Sequence, residues 1–270
     1  MARMPERWRV RPGTRVELDG IDPASTAGAP GGKDQTLAAL PALQVELAVL
    51  QDRLAAEHRQ SLLVVLQALD AGGKDGTIRH VFSGVNPQGV RVASFKAPTG
   101  SELEHDFLWR VHRVTPAAGE IGIFNRSHYE DVLAARVRGL VPEEVWRPRY
   151  ELINGFEALL HHGGTTVVKL FLHISRDEQR RRLEERLRDP DKRWKFRPED
   201  LLDRARWDEY QLAYREALEK TSTAVGPWYV IPADHKWYRN WVVSRILVKT
   251  LERMDPQYPQ PMEDLPATIE

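Results

Sequence analysis

The sequence predicts an α/β fold, one sheet of about five parallel strands held between two layers of helices. Three observations carry that expectation. Short branched apolar runs, each the length of a strand, recur at 62–66, 90–95, 121–124, 165–174 and 228–232. Segments with apolar residues at three- and four-residue steps alternate with them, as crossover helices do. The first run ends in the turn Ala68-Leu69-Asp70-Ala71-Gly72-Gly73-Lys74-Asp75-Gly76, and a helical stretch follows from Thr77 to Phe82. Strand, glycine-bearing turn with a lysine, then helix is the order of a phosphate-cradling loop.

Taken in order, residues 1–32 are rich in Pro, Gly and Arg and read as an irregular arm, either laid across the domain or a partner subunit or a loosely packed tail. Trp8, Arg9 and Arg11 are its candidates for touching an anion. From Leu37 to Leu54 an amphipathic helix leads into the first strand, with Pro41 expected near its first turn, where a missing N–H is harmless. The 270 residues, 41% of them hydrophobic, suffice for one domain over 33–258, followed by a tail at 259–270. There is no cysteine, which removes disulfides and cysteine-ligated zinc and fits a reducing cytoplasm. No apolar run reaches membrane length, so no membrane partner is expected. With 39 basic and 39 acidic residues the formal net charge is zero, which speaks against a nucleic-acid binder relying on bulk charge.

The chemistry of the loop follows from its residue types. Gly72, Gly73 and Gly76 let backbone N–H groups crowd onto an anion, and the helix start adds partial positive charge. Lys74 supplies a full mobile cation. Ala68 stands where the usual pattern has its first glycine, and Asp75 stands where Ser or Thr would hold magnesium. The missing hydroxyl calls for another metal ligand, and Asp70 is the candidate inside the loop.

Further along, the second strand ends at Lys96, either a crevice residue at a strand's carboxyl end or one of many surface lysines. Single helices are expected over 102–114, 143–162, 198–221 and 237–254. The third strand runs into Asn125-Arg126-Ser127-His128-Tyr129-Glu130-Asp131, where a second metal-binding element of a phosphate-loop enzyme belongs. Glu130 and Asp131 are candidates for it, or are simply acids at a helix start. Ser175 opens an arginine-rich helix in which Arg182 and Arg186 share a face. The segment at about 186–207, with Lys195 among Trp, Phe and Pro, reads as a mobile lid over phosphates.

The segments DAGGKDGT, NPQGVRVASFKAPT, FNRSHYEDV, KFRPEDLLDRARWDEY and VIPADHKWYRN, spread over residues 20–258, together resemble the family-2 polyphosphate kinases. The resemblance implies a three-layer P-loop kinase fold like that of thymidylate kinase. It also implies Mg2+-dependent phosphoryl transfer between inorganic polyphosphate and AMP, ADP or ATP, in a homo-oligomeric dimer or tetramer. By position, Asp70 would be a magnesium ligand and Lys74 would grip the transferring phosphate. Arg126 and Arg186 would steady transition-state charge, with Gly72, Gly73, Asp75, Gly76, Lys96, Arg182 and Lys195 lining the phosphate track. Many relatives have aspartate where this chain has Asn125, so Glu130 or Asp131 would compensate: Asp131 is placed as the second metal ligand and the acid that orients the acceptor, and Asn125 and Glu130 as the nucleotide-selectivity residues. This version of the segment is similar to the branch that accepts both nucleoside mono- and diphosphates. The residues alone leave open an ATP-dependent kinase of the same fold.

Overall fold

The strand at the centre of the molecule is the one whose sequence is apolar on both faces. In the computed structural model, which describes residues 6–261, β1 (Ser61–Gln67) is buried along its whole length. β2 (Val90–Ser94), β3 (Ile121–Asn125), β4 (Thr165–His173) and β5 (Trp228–Pro232) complete a parallel sheet in the order β2-β3-β1-β4-β5. Val64 at mid-strand stands opposite Ile123 on one side and Val168 on the other. The helices are α1 (Lys33–Glu57), α2 (Lys74–Val81), α3 (Gly100–Leu103), α4 (Trp109–His112), α5 (Ala134–Val137), α6 (Glu143–Trp146), α7 (Arg149–His162), α8 (Arg176–Arg188), α9 (Pro198–Ala205), α10 (Trp207–Thr221) and α11 (Lys236–Met254).

Alternation along β1 divides the core in two. Leu62, Val64 and Leu66 pack with Leu47 and Leu54 of α1 and Val243 and Leu247 of α11. Leu63 and Val65 point the other way, toward Ile153 and Phe156 of α7 and Tyr214 of α10. The three layers and parallel sheet match the expectation. Because the chain leaves β1 for β2 and β3 on one side and later for β4 and β5 on the other, the strand order reverses at β1. In open α/β sheets that reversal, at the carboxyl ends, is where ligands bind. No helix among the described residues is long and apolar enough to cross a membrane.

Local chemistry overrides the sequence pattern at several joints. α1 begins at Lys33, where Gln35 Oε1 accepts from the Gly32 N–H (3.1 Å), so Pro41 lies inside the helix and not in its first turn. The site is exposed, and water can take the carbonyl that Pro41 leaves free. The helix expected over 102–114 is two short ones, because Asp106 folds back to accept from the Leu108 N–H (2.9 Å). The one expected over 143–162 breaks at Pro148, which has no N–H for the ladder. The one expected over 198–221 breaks at Arg206, which leaves helical geometry between α9 and α10.

The arm is not loose. Arg9 bridges antiparallel to Tyr229 of β5, and the Val10 N–H donates to the Trp228 carbonyl (2.9 Å). Val10, Val16 and Leu18 are buried. Trp8 donates to the Tyr238 hydroxyl and Arg9 pairs with Glu6, so both are engaged in holding the arm. Of the tail expected at 259–270, residues 262–270 lie outside the described residues.

Candidate active site

The loop after β1 is shaped by residues that can adopt left-handed backbone or approach closely. Ala71 (φ 61°) and Gly73 (φ 102°) are left-handed, and Gly73 caps α2. A Cβ at Gly72 would meet the Ala68 Cβ at 2.5 Å and the Leu69 carbonyl at 2.8 Å, so only glycine closes this turn. Lys74 donates from Nζ to the Ala68 carbonyl (2.7 Å), drawn back over the loop. Burial, together with the nearby Arg126 charge, pulls the Lys74 pKa down to about 8, while Asp70, Glu130 and Asp75 pull the other way.

The end of β3 brings the second group of side chains. Arg126 also has left-handed backbone (φ 62°), a strained conformation for a non-glycine, and Nη2 meets Asp70 Oδ1 at 2.9 Å. Asn125 Nδ2 donates to Asp75 Oδ1 (2.8 Å). Residues 128–131 then form a 3₁₀ turn, which places successive side chains roughly 120° apart. Glu130 and Asp131 therefore part company. Glu130 faces the loop side, in a small cavity shared with Asp70, Arg126 and Arg138. With its amide oriented to satisfy both ends, Gln67 donates to Glu130 Oε1 (3.1 Å) and accepts from the Ser127 N–H. Burial pushes the Glu130 pKa up, against the Arg126 and Lys74 charges. Asp131 turns away. It meets Arg149 Nη1 at 3.3 Å and Arg110 Nη2 at 3.7 Å, and Arg110 in turn donates to the Lys96 carbonyl. The structure thus gives Asp131 to a clamp behind the site instead of to a metal or an acceptor.

The third side is α8 and the segment after it. Arg186 Nη1 lies 3.4 Å from Asp200 Oδ2 on α9. The pKa of Asp200 is raised by its burial and by the negative charge of Asp70, so these two carboxylates face a common space. Arg182 is different from the phosphate ligand that the sequence suggested. It is buried, with Nη1 donating to the Ala71 and Gly72 carbonyls (3.0 and 3.1 Å), Nη2 to Ala233 and Asp234, and Nε to Glu178. Its shared helical face with Arg186 exists, but being nearer the sheet it braces the loop from beneath. Arg138 pairs with Asp203, which also accepts from Tyr210 (3.0 Å), and ties α9 to the end of α5.

One cavity of about 470 Å³ gathers most of the expected residues: Asp70, Gly72, Gly73, Lys74, Asp75, Gly76, Lys96, Asn125, Arg126, Arg186 and Lys195. Lys96 is thus a crevice residue. Arg79 and Asp200 line the same space and were not expected. Asp200 was hidden because an acid after proline at a helix start reads as a dipole residue. Its pairing with an arginine 14 positions earlier depends on the chain reversing at 189–197. Cations on three sides of a glycine loop, with two carboxylates at its edge, are suited to hold a chain of phosphates together with a divalent ion.

The family model described as Polyphosphate kinase 2 matches residues 31–259. The chain belongs to the polyphosphate kinase 2 family. It is 59% identical over 256 residues to a Meiothermus ruber protein named AMP/ADP-polyphosphate phosphotransferase, covering 95% of this chain and 96% of that one. A Rhodopseudomonas palustris protein named ADP-polyphosphate phosphotransferase is 47% identical over 230 residues, covering 80% of each. The crystal structure of polyphosphate kinase 2 from Arthrobacter aurescens superposes with a TM-score of 0.93 at 46% identity, covering 96% of this chain and 93% of that one. The family match spans the domain from α1 to the end of α11.

Proposed function

We propose that this chain transfers phosphoryl groups between inorganic polyphosphate and nucleotides, converting AMP to ADP and ADP to ATP. The observation that carries the reading is the single cavity in which Lys74, Arg126 and Arg186 converge on the glycine loop beside Asp70 and Asp200. The names of the relatives from Meiothermus ruber and Rhodopseudomonas palustris support polyphosphate as donor and AMP or ADP as acceptor.

A phosphate oxygen of the acceptor attacks the terminal phosphorus of the polymer. The bond from that phosphorus to its bridging oxygen breaks, and the electron pair leaves on the shortened chain. The acceptor oxygen is already ionised at neutral pH, so no strong base is required; positioning and charge do the catalysis. The Gly72–Gly76 backbone cradles the donor. Lys74 and Arg126 hold the equatorial oxygens, and Arg186 reaches in from the lid side. Asp70 and Asp200 would hold Mg2+, which takes one or two carboxylates and completes its shell with phosphate oxygens and water. That ion supplies charge neutralisation between donor and acceptor. Glu130 stands on the acceptor side with Asn125, whereas Asp131 keeps Arg110 and Arg149 in place. The reading carries with it a homo-oligomer in a reducing cytoplasm. The absence of cysteine fits that compartment.

A donor swap tests the activity. Purified protein with Mg2+ and AMP or ADP receives either long-chain polyphosphate or ATP, and the nucleotides are separated by chromatography. Products formed only with polyphosphate are expected; conversion of AMP with ATP alone would make it an ordinary nucleotide kinase. In the same assay Lys74→Ala is expected to lower turnover about a hundredfold or more while nucleotide binding changes little. Near-normal turnover would remove Lys74 from the mechanism.

A further inference from the structure

Arg239, on the first turn of α11, is only 2% exposed, and no carboxylate among the described residues forms an ion pair with it. Its hydrogen bonds, from Nε (3.2 Å) and Nη2 (2.9 Å), both go to the amide oxygen of its neighbour Asn240. Nη1 aims elsewhere. A Cβ built on Gly73 would lie 2.0 Å from it, and one on Gly76 would lie 3.5 Å from Nη2. Arg182 Nη1 comes within 3.5 Å of the same point at Gly73. Two guanidinium groups thus converge beneath the loop on its β4–β5 side, opposite Arg126. Arg182 has Glu178 and four carbonyls to answer its charge. Arg239 has an amide oxygen.

A buried cation without a counter-charge destabilises a fold unless a bound anion completes it. The sequence pays attention to this contact: glycine at 73 is required by the guanidinium as well as by the backbone angle. Burial and the Arg182 charge pull the Arg239 pKa down to about 9, which leaves it protonated at neutral pH. Methionine would fill much of the space of its apolar stem, so a change to methionine separates the charge from the packing.

We infer that Arg239 is a positioning residue for the donor: its fixed charge beneath Gly73 selects a polyanion in the loop and is neutralised only when the donor phosphates are bound. This deepens the reading given above and rests on it. In that reading the nucleotide acceptor stands on the β3 side with Asn125 and Glu130, farther from this charge than the donor in the loop. Arg239 therefore discriminates between the two substrates, which Lys74 at their junction does not.

The test uses the full-length chain and Arg239→Met, with Arg239→Lys as the charge-conserving control. Thermal unfolding is measured without ligand and with inorganic tripolyphosphate, and KM is measured for polyphosphate and for AMP. Arg239→Met is expected to unfold no earlier than wild type when unligated and to lose most of the rise in Tm that tripolyphosphate gives. Its KM for polyphosphate is expected to rise at least about tenfold, since one charge acting over several ångströms at an effective dielectric near 20 would give more than that before desolvation is subtracted. KM for AMP stays unchanged, and Arg239→Lys recovers most of the polyphosphate KM. An unchanged polyphosphate KM, or equal rises in both KM values, would overturn the proposal, because the arginine would then only brace the loop. Failure of both variants to fold would overturn it too, since removal of an uncompensated charge must be tolerated. If the wild type itself turned over no polyphosphate, the functional reading would fail, and the tripolyphosphate shift would still report whether Arg239 governs anion binding.

Discussion

Lys74 is held where its charge is both needed and disfavoured. Burial and Arg126 bring its pKa from the ordinary 10.5 to about 8, so donor affinity and stability run in opposite directions with pH. Between about 8 and 10.5 the unfolded chain binds more protons at this residue than the folded one. The cost of burying its charge is therefore full below pH 8 and is relieved as the pH rises through that window. Donor binding needs the ammonium and weakens over the same range. KM for polyphosphate is expected to rise above about pH 8, and Lys74→Arg, which stays charged, should flatten that rise even where its turnover is low. A wild-type KM that is flat to pH 9.5 would show that the lysine titrates higher. Asn125 is a second residue whose type matters. Its amide donates to Asp75, and Asn125→Asp would set two carboxylates against each other. That variant is expected to need less Mg2+ for half-maximal rate, because a divalent cation relieves the repulsion between the two carboxylates, and to change the ratio of AMP to ADP use; titrating the metal with each acceptor checks both. At this scale the sequence was informative about residue types and silent about direction. The adjacency of Glu130 and Asp131 gave no means of choosing between them, because the choice depends on a 3₁₀ turn whose 120° step sends one to the loop and the other to Arg149.

The turn that makes this choice is anchored by an element the sequence did not reveal. Lys169 in the middle of β4 is fully buried, with Nζ donating to Glu157 Oε2 of α7, to the Tyr129 hydroxyl (2.9 Å) and to the Thr221 carbonyl (2.6 Å). Glu157 also accepts from Tyr129 (2.8 Å) and faces His128 Nε2 (3.3 Å). Burial alone would raise the Glu157 pKa, but the Lys169 charge and the hydrogen bond with His128 outweigh it and hold the pKa below the ordinary carboxylate value. This network fixes both residues that precede Glu130. Glu157→Leu leaves an uncompensated ammonium in the core and is expected to cost about 3–5 kcal/mol in denaturant unfolding. The double variant Glu157→Leu/Lys169→Met should recover most of that loss. If the double variant is as unstable as the single, packing and not charge dominates. Element positions were legible from periodicity because β1, β4 and β5 are buried on both faces and leave continuous apolar runs. The breaks at Asp106, Pro148 and Arg206 were less so, since each depends on a local hydrogen bond or the lack of one. In β4 the lysine stands within an apolar run, with nothing nearby in sequence to mark its partner on α7.

At the scale of the whole molecule, the three-layer order was legible because it follows from counting strands and from right-handed crossovers, whereas the arm was not. Composition marked residues 1–32 as irregular, and irregular segments are by default loose. What composition conceals is that three aliphatic residues spaced along the arm find places on the sheet's outer strand and on α10. The Val10 N–H and carbonyl are both used, by the Trp228 carbonyl (2.9 Å) and the Ser222 hydroxyl (2.7 Å). The Val16 N–H donates to Glu219 (2.8 Å). β5 is an edge strand, and a bare edge offers unpaired backbone groups to any other strand. The arm covers the start of that edge. Burying an aliphatic side chain contributes roughly 1.5–3 kcal/mol, so Val10, Val16 and Leu18 together set an upper range of about 5–9 kcal/mol. A compact unfolded state reduces this by up to about 40%. Deleting residues 1–19 is accordingly expected to lower stability by about 3–5 kcal/mol and to promote association through β5. The loop at the far, carboxyl end of the sheet should keep its substrate affinities in whatever fraction remains folded. Thermal unfolding and sedimentation of the truncated chain, with KM for AMP measured on its monodisperse fraction, check the three parts separately. A truncated chain as stable as the whole would mean that the arm's contacts merely replace equivalent contacts with water, and that β5 is protected by its own short length.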